Sequence, residues 1–254
     1  MSMIEIHKRN IQGIPTLEVV CNEREEDALP CVLYFHGFRS AKEHNLPFAY
    51  MLAEKGYRIL LPDSKYHGER YVEMSEKDIQ LSFWNIVAQN IEEGAIFYEY
   101  IQKNNLLEGH RMGVAGTSMG GITTSSMLTV YDWIHAAGLF MGTAMPTAYA
   151  HVLLKEMDKQ GIHIPEKDVQ EIIPFIEKTD LSKQLHVLKN KHLFMWHGEK
   201  DPVIPFSFAQ QFYDEVKRYG EHQFAIEFKQ DKDSGHKVNR EAFLAGADWF
   251  ERNL

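Results

Sequence analysis

The chain is predicted to be an α/β protein, with a mostly parallel central sheet and helices on both faces of that sheet. Short, nearly continuous apolar runs recur along it, and such runs are typical of strands covered on both faces. They alternate with stretches whose apolar residues are spaced three and four apart, the pattern of amphipathic helices. This alternation favours parallel strands joined by helical crossovers. The length of 254 residues is ordinary for one α/β domain with a large core.

Two stretches at the start of the chain, residues 3–10 and 14–22, are interpreted as antiparallel strands at one edge of the sheet. Six apolar runs are predicted as further strands: 31–37, 57–63, 111–117, 134–143, 192–198 and 224–230. Helices are predicted over about 43–55, 78–104, 119–131, 205–219 and 239–253. Most strands are therefore followed by a helix, as a sheet covered on both faces requires.

Residues 144–190 break this alternation. Their pattern is mostly helical, with charged faces and interruptions at Gly161, Pro165 and Pro174. We interpret them as a helical insertion over the carboxyl edge of the sheet, a candidate lid, although ordinary connecting helices would give the same pattern. The expected organisation is one domain, residues 1–254, that carries this insertion.

Composition excludes several classes of protein. The formal net charge of -9, without a Lys/Arg-rich tract, argues against a nucleic-acid partner. The two cysteines, Cys21 and Cys31, form neither a disulfide framework nor a metal-ligand pattern, which favours a reducing cytoplasm. No apolar leader begins the chain, and no stretch approaches the roughly 18 apolar residues of a membrane span. We expect a soluble, cytoplasmic protein without a membrane partner.

The stretch RMGVAGTSMGG, residues 111–121, places Ser118 where a predicted strand ends and a helix begins. A hydroxyl in such a turn projects beyond the carboxyl edge of the sheet, where ligands bind. Gly116 and Gly120 leave room for a tight turn, and Gly121 for close helix packing. The start of the helix offers free N–H groups to developing negative charge. These are the features of a G-x-S-x-G nucleophile elbow, although the pentapeptide alone also fits a small-residue turn without chemistry.

The stretch YFHGFRS, residues 34–40, closes an earlier strand and is a candidate oxyanion loop. Acyl transfer from an ester passes through a tetrahedral oxyanion that needs two hydrogen-bond donors. We predict these donors to be the backbone N–H groups of Met119 and Phe38, with His36 and Gly37 allowing the loop to turn tightly. The alternative is that His36 and Gly37 merely end a strand.

The stretch WHGEKDPVIP, residues 196–205, supplies a candidate acid. Asp201 lies on the loop that leaves a predicted strand, and a carboxylate there could orient a histidine and stabilise it once protonated. Asp201 could instead simply open a turn with Pro202, and Glu199 is the rival carboxylate.

The stretch DSGHKV, residues 233–238, supplies a candidate base. His236 follows Gly235 on the loop after the last predicted strand, and an imidazole suits a group that accepts and returns the serine proton. With 13 histidines in the chain, any one is more often an ordinary surface residue. His236 is preferred because it follows both Ser118 and Asp201; His197 and His222 lie within or beside strands.

Ser118, Asp201 and His236 occur in the order nucleophile, acid, histidine, each after a predicted strand. With the motifs HGF, GTSMGG, HGEKDPVIP and SGHKV, the chain resembles serine hydrolases of the α/β-hydrolase superfamily. More narrowly, it is similar to small bacterial esterases of the prolyl-oligopeptidase and dienelactone-hydrolase branch, from about residue 30 to residue 250. Thr117 stands where such enzymes often have histidine, and the chain has no propeller domain, so an oligopeptidase role is not expected.

The resemblance implies an α/β-hydrolase fold and carboxylesterase activity on small, short-chain acyl esters. It also implies a triad of Ser118, His236 and Asp201, an acyl-enzyme intermediate and no cofactor. A thioesterase, acyltransferase, lactonase or peptidase could use the same triad. The alternative from a different functional class is a catalytically silent α/β-hydrolase that binds a small molecule or a partner. The sequence does not determine the oligomeric state.

Candidate substrate-binding residues are His36, Gly37, His67 and Trp84. His67 lies in PDSKYHGER, residues 62–70, a loop expected at the rim of the site. Asp63 and His67 could also be a second acid–base pair or metal ligands, but zinc would need a third protein ligand that no paired motif supplies, so no metal is expected. Trp84 and its neighbour Phe83 could line an acyl pocket or belong to the core.

Overall fold

The computed structural model, which describes residues 3–162, 164–220 and 224–254, places one sheet between layers of helices. The strands are β1 (Ile4–Ile11), β2 (Ile14–Cys21), β3 (Leu29–Phe35), β4 (Arg58–Pro62), β5 (Leu107–Thr117), β6 (Ala136–Phe140), β7 (His192–Gly198) and β8 (Ala225–Asp231). The helices are α1 (Leu46–Glu54), α2 (Glu76–Leu81), α3 (Phe83–Lys103), α4 (Met119–Val130), α5 (Pro146–Lys159), α6 (Glu166–Lys178), α7 (Phe206–Gly220) and α8 (Arg240–Asn253). Within the described ranges, no helix is both long and apolar enough to cross a membrane.

The strands are arranged in the order β1-β2-β4-β3-β5-β6-β7-β8. β1 and β2 form an antiparallel hairpin whose two turn residues, Gln12 and Gly13, both have positive φ, as a tight hairpin turn requires. β2 also pairs antiparallel with β4, and every later neighbour pair is parallel. The predicted α/β class, the mostly parallel sheet and the antiparallel edge are confirmed.

The chain changes direction across the sheet between β3 and β5. β4 lies on one side of β3, and β5 lies on its other side. In open α/β sheets, ligands bind in the crevice outside the carboxyl ends of the strands at such a switch point. The loops after β3 and β5 are therefore the expected location of a functional site.

The core consists of two apolar layers, one on each face of the sheet. Alternate residues of β3 point to opposite layers, because successive side chains of a strand point to opposite faces. Leu33 packs in the layer that contains α3, α4 and α7. Val32 and Tyr34 pack in the layer that contains α1 and α8. Helices on both faces of the sheet are thereby confirmed.

The predicted helix over 78–104 is two helices, α2 and α3, that meet at Ser82. The Ser82 hydroxyl donates to the carbonyl of Asp78, and such a local side-chain bond competes with the backbone bonds of a continuous helix. Ser75 caps the start of α2 by accepting from the Asp78 N–H. The predicted helix therefore begins slightly earlier and is broken near its start.

The region between β6 and β7 contains α5 and α6, followed by short 3-10 turns. Gly161 has a positive φ just after α5, and Pro165 stands at the N-cap of α6. Pro174, predicted as an interruption, instead lies inside α6. The helical character of this region agrees with the sequence, and its action as a lid stays a prediction.

Candidate active site

Ser118 occupies a sharp turn between β5 and α4. Its backbone has a φ of 56° and a ψ of -113°, and its N–H donates to the carbonyl of Phe140 at 2.8 Å. The turn is tight because α4 passes very close to the strands. A Cβ on Gly120 would lie 2.0 Å from the carbonyl oxygen of Phe35, and one on Gly116 would lie 2.3 Å from the backbone of Gly120. Only glycine fits at these two positions, which explains the small residues on either side of the serine.

His236 and Asp201 lie beside Ser118 in a continuous line of hydrogen bonds. The Nε2 atom of His236 is 2.8 Å from the Oγ atom of Ser118, and its Nδ1 atom is 2.7 Å from Oδ2 of Asp201. His236 is on the loop after β8, and Asp201 is on the loop after β7. The structure thus brings together three side chains from loops that lie far apart in the sequence.

Asp201 is held by hydrogen-bond donors on both of its carboxylate oxygens. Oδ1 accepts from the N–H groups of Val203 and Ile204, at 2.8 and 3.0 Å. Oδ2 lies 3.2 Å from Nε2 of His197 and 2.7 Å from Nδ1 of His236. Burial by itself would raise the pKa of Asp201, but the bonds from His197, His236 and Val203 outweigh it and hold that pKa well below its usual range. Asp201 is therefore a carboxylate at neutral pH.

A charged Asp201 fixes the proton positions on His236. Because the carboxylate can only accept, Nδ1 of His236 carries the proton and donates it to Oδ2. Nε2 is then unprotonated in the neutral imidazole and accepts from the Ser118 hydroxyl. This is the arrangement that a general base for serine requires.

The rival residues from the sequence occupy other positions. Glu199 is exposed, and its N–H donates to the carbonyl of Asp231. His197 is buried within β7, and its Nε2 lies 2.9 Å from the carbonyl of Ile204, so this nitrogen carries a proton and is not a free base. His222 lies outside the described residues. His197 contributes instead as a donor beside Asp201, a role that the sequence did not indicate.

The loop after β3 lies directly beside the serine. A Cβ on Gly37 would be only 3.6 Å from the Cβ of Ser118. Phe38 follows Gly37 in this loop, and Met119 is the first residue of α4, where N–H groups have no acceptor within the helix. The two predicted donors, Phe38 and Met119, thus belong to the two segments that flank Ser118, and their role as an oxyanion hole stays a prediction.

Two buried imidazoles hold the backbone on either side of Phe38. Nε2 of His36 accepts from the Ser64 N–H at 3.0 Å, so its proton is on Nδ1, which donates to the Gly37 carbonyl at 2.8 Å. Nε2 of His67 accepts from the Arg39 N–H at 2.9 Å. Its Nδ1 therefore carries the proton and donates to the Lys65 carbonyl at 2.8 Å. Both rings are neutral, each in one fixed tautomer.

These bonds change the expected roles of His36 and His67. Both were predicted to bind substrate, but both side chains are buried and use both ring nitrogens on backbone groups. The structure places them behind the loop, where they fix the peptide groups next to Phe38. Gly37, in contrast, lies against Ser118 as a substrate-facing residue would.

We expect His36 to make the fold sensitive to acid. Burial is the main cause that lowers its pKa, to about 4 from the ordinary value of 6.5, although its bond to the Gly37 carbonyl acts in the opposite direction. The unfolded chain therefore binds more protons than the folded protein between these two values. The stability that comes from keeping His36 neutral is complete above pH 6.5 and is lost as the pH falls toward 4. This contribution to the free energy of unfolding is about 3 kcal/mol.

The measurement is the free energy of unfolding in urea at several pH values from 7.5 to 4. His36→Asn keeps one donor and one acceptor but does not titrate, so its stability should fall less steeply over this range. His151→Gln, which changes an exposed histidine, should follow the wild type. Equal slopes for His36→Asn and the wild type would contradict the assignment.

Asp63 and His67 do not pair with each other. The carboxylate of Asp63 accepts from Nζ of the buried Lys42 at 2.5 Å and from the Glu69 N–H at 2.9 Å. Gly68 has a positive φ and wraps around this carboxylate so closely that a Cβ there would lie 2.0 Å from it. The ion pair holds the loop after β4 in shape, and a second acid–base pair is not formed.

An aromatic cluster extends from the loop after β3 toward α5. The ring of Phe83 lies edge-on to that of Phe38, with ring centres 5.4 Å apart. The ring centres of Phe83 and Trp84 are 5.1 Å apart. Tyr149 of α5 lies within 6.5 Å of both Phe83 and Trp84. Burial raises the pKa of Tyr149, and the nearby charge of Asp201 acts in the same direction. Trp84 thus belongs to a cluster that joins the loop after β3 to α5, and Tyr149 is a neighbour that no motif in the sequence indicated.

A serine at a strand–helix elbow, followed in the chain by an acid and a histidine that meet it at one edge of the sheet, defines a serine hydrolase of the α/β-hydrolase fold. Residues 85–254 match the model of the prolyl oligopeptidase family, Peptidase_S9. The chain therefore belongs to the prolyl oligopeptidase family.

Two curated relatives and one solved structure are similar to this chain over nearly its whole length. The chain is 43% identical to “Putative esterase YitV” of Bacillus subtilis, over 99% of this chain and 100% of that protein. It is 26% identical to “Esterase YjfP” of Escherichia coli, over 99% of this chain and 100% of that protein. The crystal structure of TT1662 from Thermus thermophilus matches with a TM-score of 0.75 at 18% identity, over 98% of each chain. The predicted resemblance and fold class are confirmed.

Proposed function

We propose that the protein is an esterase that hydrolyses carboxylic esters of small molecules, with Ser118 as its nucleophile. The observation that carries the proposal is the line of hydrogen bonds from Ser118 through His236 to Asp201. A catalytically silent relative would have no need of this arrangement. The two full-length relatives named as esterases support the choice of esters as the substrate class.

The reaction has two halves. In the first, Nε2 of His236 takes the proton of the Ser118 hydroxyl while Oγ attacks the ester carbonyl carbon. The resulting oxyanion accepts hydrogen bonds from the N–H groups of Phe38 and Met119. The carbon–oxygen bond to the alcohol then breaks, the alcohol leaves with the proton from His236, and the acyl group remains on Ser118.

In the second half, water takes the place of the alcohol. His236 removes a proton from the water as its oxygen attacks the acyl carbonyl, and the same donors hold the second oxyanion. The bond to Ser118 breaks, its oxygen regains the proton from His236, and the carboxylic acid is released. Asp201 stays charged throughout and stabilises the imidazolium that forms in each half.

Labelling with a fluorophosphonate tests the nucleophile directly. Such a probe phosphonylates an activated serine, with loss of fluoride, and we expect one probe per chain on the peptide that contains Ser118. Ser118→Ala and His236→Ala should both prevent labelling, because one lacks the nucleophile and the other the base. Ser207→Ala, which removes an exposed hydroxyl on α7, should label like the wild type. The measurement is intact-protein and peptide mass.

Two results would overturn the proposal. Labelling on another serine would mean that the nucleophile is not Ser118. No labelling of the folded wild-type protein, together with no turnover of any ester, would favour a binding protein on this fold.

A further inference from the structure

A cavity of about 460 Å³ lies between the junction of α2 and α3 on one side and α5 and α6 on the other. Its size is within the range of roughly 300–1,000 Å³ that is usual for small-molecule pockets. Most of its lining is aliphatic or aromatic, including Leu81, Trp84, Leu153, Met157, Val169 and Ile172. The hydrogen-bond line from Ser118 to Asp201 does not use any of them.

The cavity begins one aromatic ring away from the candidate site. Phe83 and Trp84 line it, and the ring of Phe83 lies edge-on to that of Phe38 in the candidate oxyanion loop. The residue before Phe38 is Gly37, which lies against Ser118. The Phe38–Phe83 contact therefore lies between the candidate oxyanion loop and the cavity.

The lining also determines which chemistry fits. Leucine, isoleucine, valine and methionine side chains offer dispersion contacts and adapt to a flexible chain. The charged groups of the lining are the carboxylates of Asp78, Asp168 and Glu171, and its described members include no lysine or arginine. An anionic group in the cavity would be repelled and would have no cation to pair with.

We propose that this cavity binds an uncharged aliphatic chain of medium length, carried by the acyl or the alcohol part of the ester substrate. The inference rests on the proposed esterase function and refines it, because the family resemblance alone implies short-chain esters. α5 and α6, the helices of the region interpreted from the sequence as an insertion, then determine which chain lengths the site accepts.

Chain-length profiles test the inference. Each methylene that leaves water for an apolar pocket is expected to raise kcat/KM by about fourfold. The octanoate has six more methylenes than the acetate, so we expect 4-nitrophenyl octanoate to exceed the acetate by at least about sixtyfold if half of them enter the cavity from the acyl side. A series of alkyl acetates should show the same rise if it is on the alcohol side, so the two series distinguish the two positions.

A pair of adjacent positions on α5 supplies the variant and its control. Leu153 lines the cavity, whereas Val152 is exposed and is not part of the lining. Leu153→Trp should fill the cavity and lower kcat/KM for the preferred long-chain ester by about thirtyfold, with the shortest ester of the same series changed by less than about twofold. Val152→Trp should leave both values unchanged. Ile172→Trp fills the cavity from α6 and should repeat the Leu153→Trp result.

The outcomes separate this inference from the proposed function. The unchanged rate on the shortest ester of the series shows that a variant is folded and that its serine is active. Flat profiles in both series, or a long-chain rate that neither Leu153→Trp nor Ile172→Trp lowers, would overturn the cavity assignment while ester hydrolysis stands. Absence of ester turnover and of fluorophosphonate labelling in the wild type would instead overturn the proposed function, and the inference with it.

Discussion

Replacing Ser118 with alanine is expected to lower kcat for a chromogenic ester by about 10⁴-fold or more. Without the hydroxyl, no acyl-enzyme forms, and the remaining groups supply only the smaller rate enhancement of binding and oxyanion stabilisation. The substitution keeps the Cβ atom and removes one hydrogen bond, the one to Nε2 of His236. The fold should therefore persist. The measurement is initial-rate kinetics on the ester that the wild type prefers.

Ser118→Gly adds a second readout, because the two variants should differ in stability. The φ of 56° and ψ of -113° at residue 118 are strained for any residue with a Cβ, at a cost of about 1–3 kcal/mol. Ser118→Gly should thus be more stable than Ser118→Ala by about 1 kcal/mol in urea unfolding, while both are inactive. The control is Ser126→Ala, which changes a buried serine of α4 and should keep its activity.

Either of two results would contradict this account. Ester hydrolysis that survives in Ser118→Ala would identify a different nucleophile. Equal stability of the alanine and glycine variants would show that strain at the elbow does not exceed the extra backbone entropy, about 0.5–1 kcal/mol, that glycine loses on folding.

The strands of the core and the order of the site residues could be predicted from the sequence for one physical reason. A strand buried on both faces must be apolar throughout, so β3 and β4 stand out as runs. β5 was predicted too short, since the structure begins it at Leu107 rather than at Arg111. Residues 108–110 of β5 are exposed and include no apolar side chain, so they lack the apolar signal.

The positions of Ser118, Asp201 and His236 could be predicted because each follows such a strand. In a parallel sheet the carboxyl ends of neighbouring strands lie at one edge, so chain order alone brings the loops together. What the chain order does not contain is which hydrogen bonds form there. His197 was set aside because it lies within a strand, yet its Nε2 lies 3.2 Å from Oδ2 of Asp201.

His36 and Tyr149 show where prediction from the sequence ended. The role of His36 depends on which of its nitrogens faces a donor, and that is set by Ser64, which follows a different strand. Tyr149 belongs to an amphipathic helix, where an aromatic residue near the site has the same pattern as one in the core. Such contacts join distant parts of the chain without any motif, so only coordinates provide them.

Replacing Asp201 with asparagine is the second change with a very large expected effect, about 10⁴-fold in kcat. The N–H groups of Val203 and Ile204 both point at one oxygen of this side chain, so the amide oxygen must take that place. The amide NH₂ group then faces His236 and donates to its Nδ1. This puts the imidazole proton on Nε2, which can no longer accept from Ser118.

The same substitution should also destabilise the fold. The NH₂ group would face the protonated Nε2 of His197, which donates to the Ile204 carbonyl, so one amide hydrogen is left without an acceptor at a cost of about 1–3 kcal/mol. Burial opposes the charge of Asp201, yet its donors hold the pKa below the ordinary 3.8. Its stabilising effect is therefore complete above that pH and is lost as the pH falls further. The stability difference between wild type and Asp201→Asn should accordingly be full at pH 7 and shrink only below about pH 4.

Glu199→Gln is the matched control, because it neutralises the rival carboxylate two residues away on the same loop. Glu199 is exposed and has no contact with His236, so its loss should change kcat by less than about twofold. Steady-state kinetics and urea unfolding of the two variants decide between the carboxylates. A large loss in Glu199→Gln with little loss in Asp201→Asn would reassign the acid. Small losses in both would mean that the imidazole of His236 keeps its proton on Nδ1 without a charged partner.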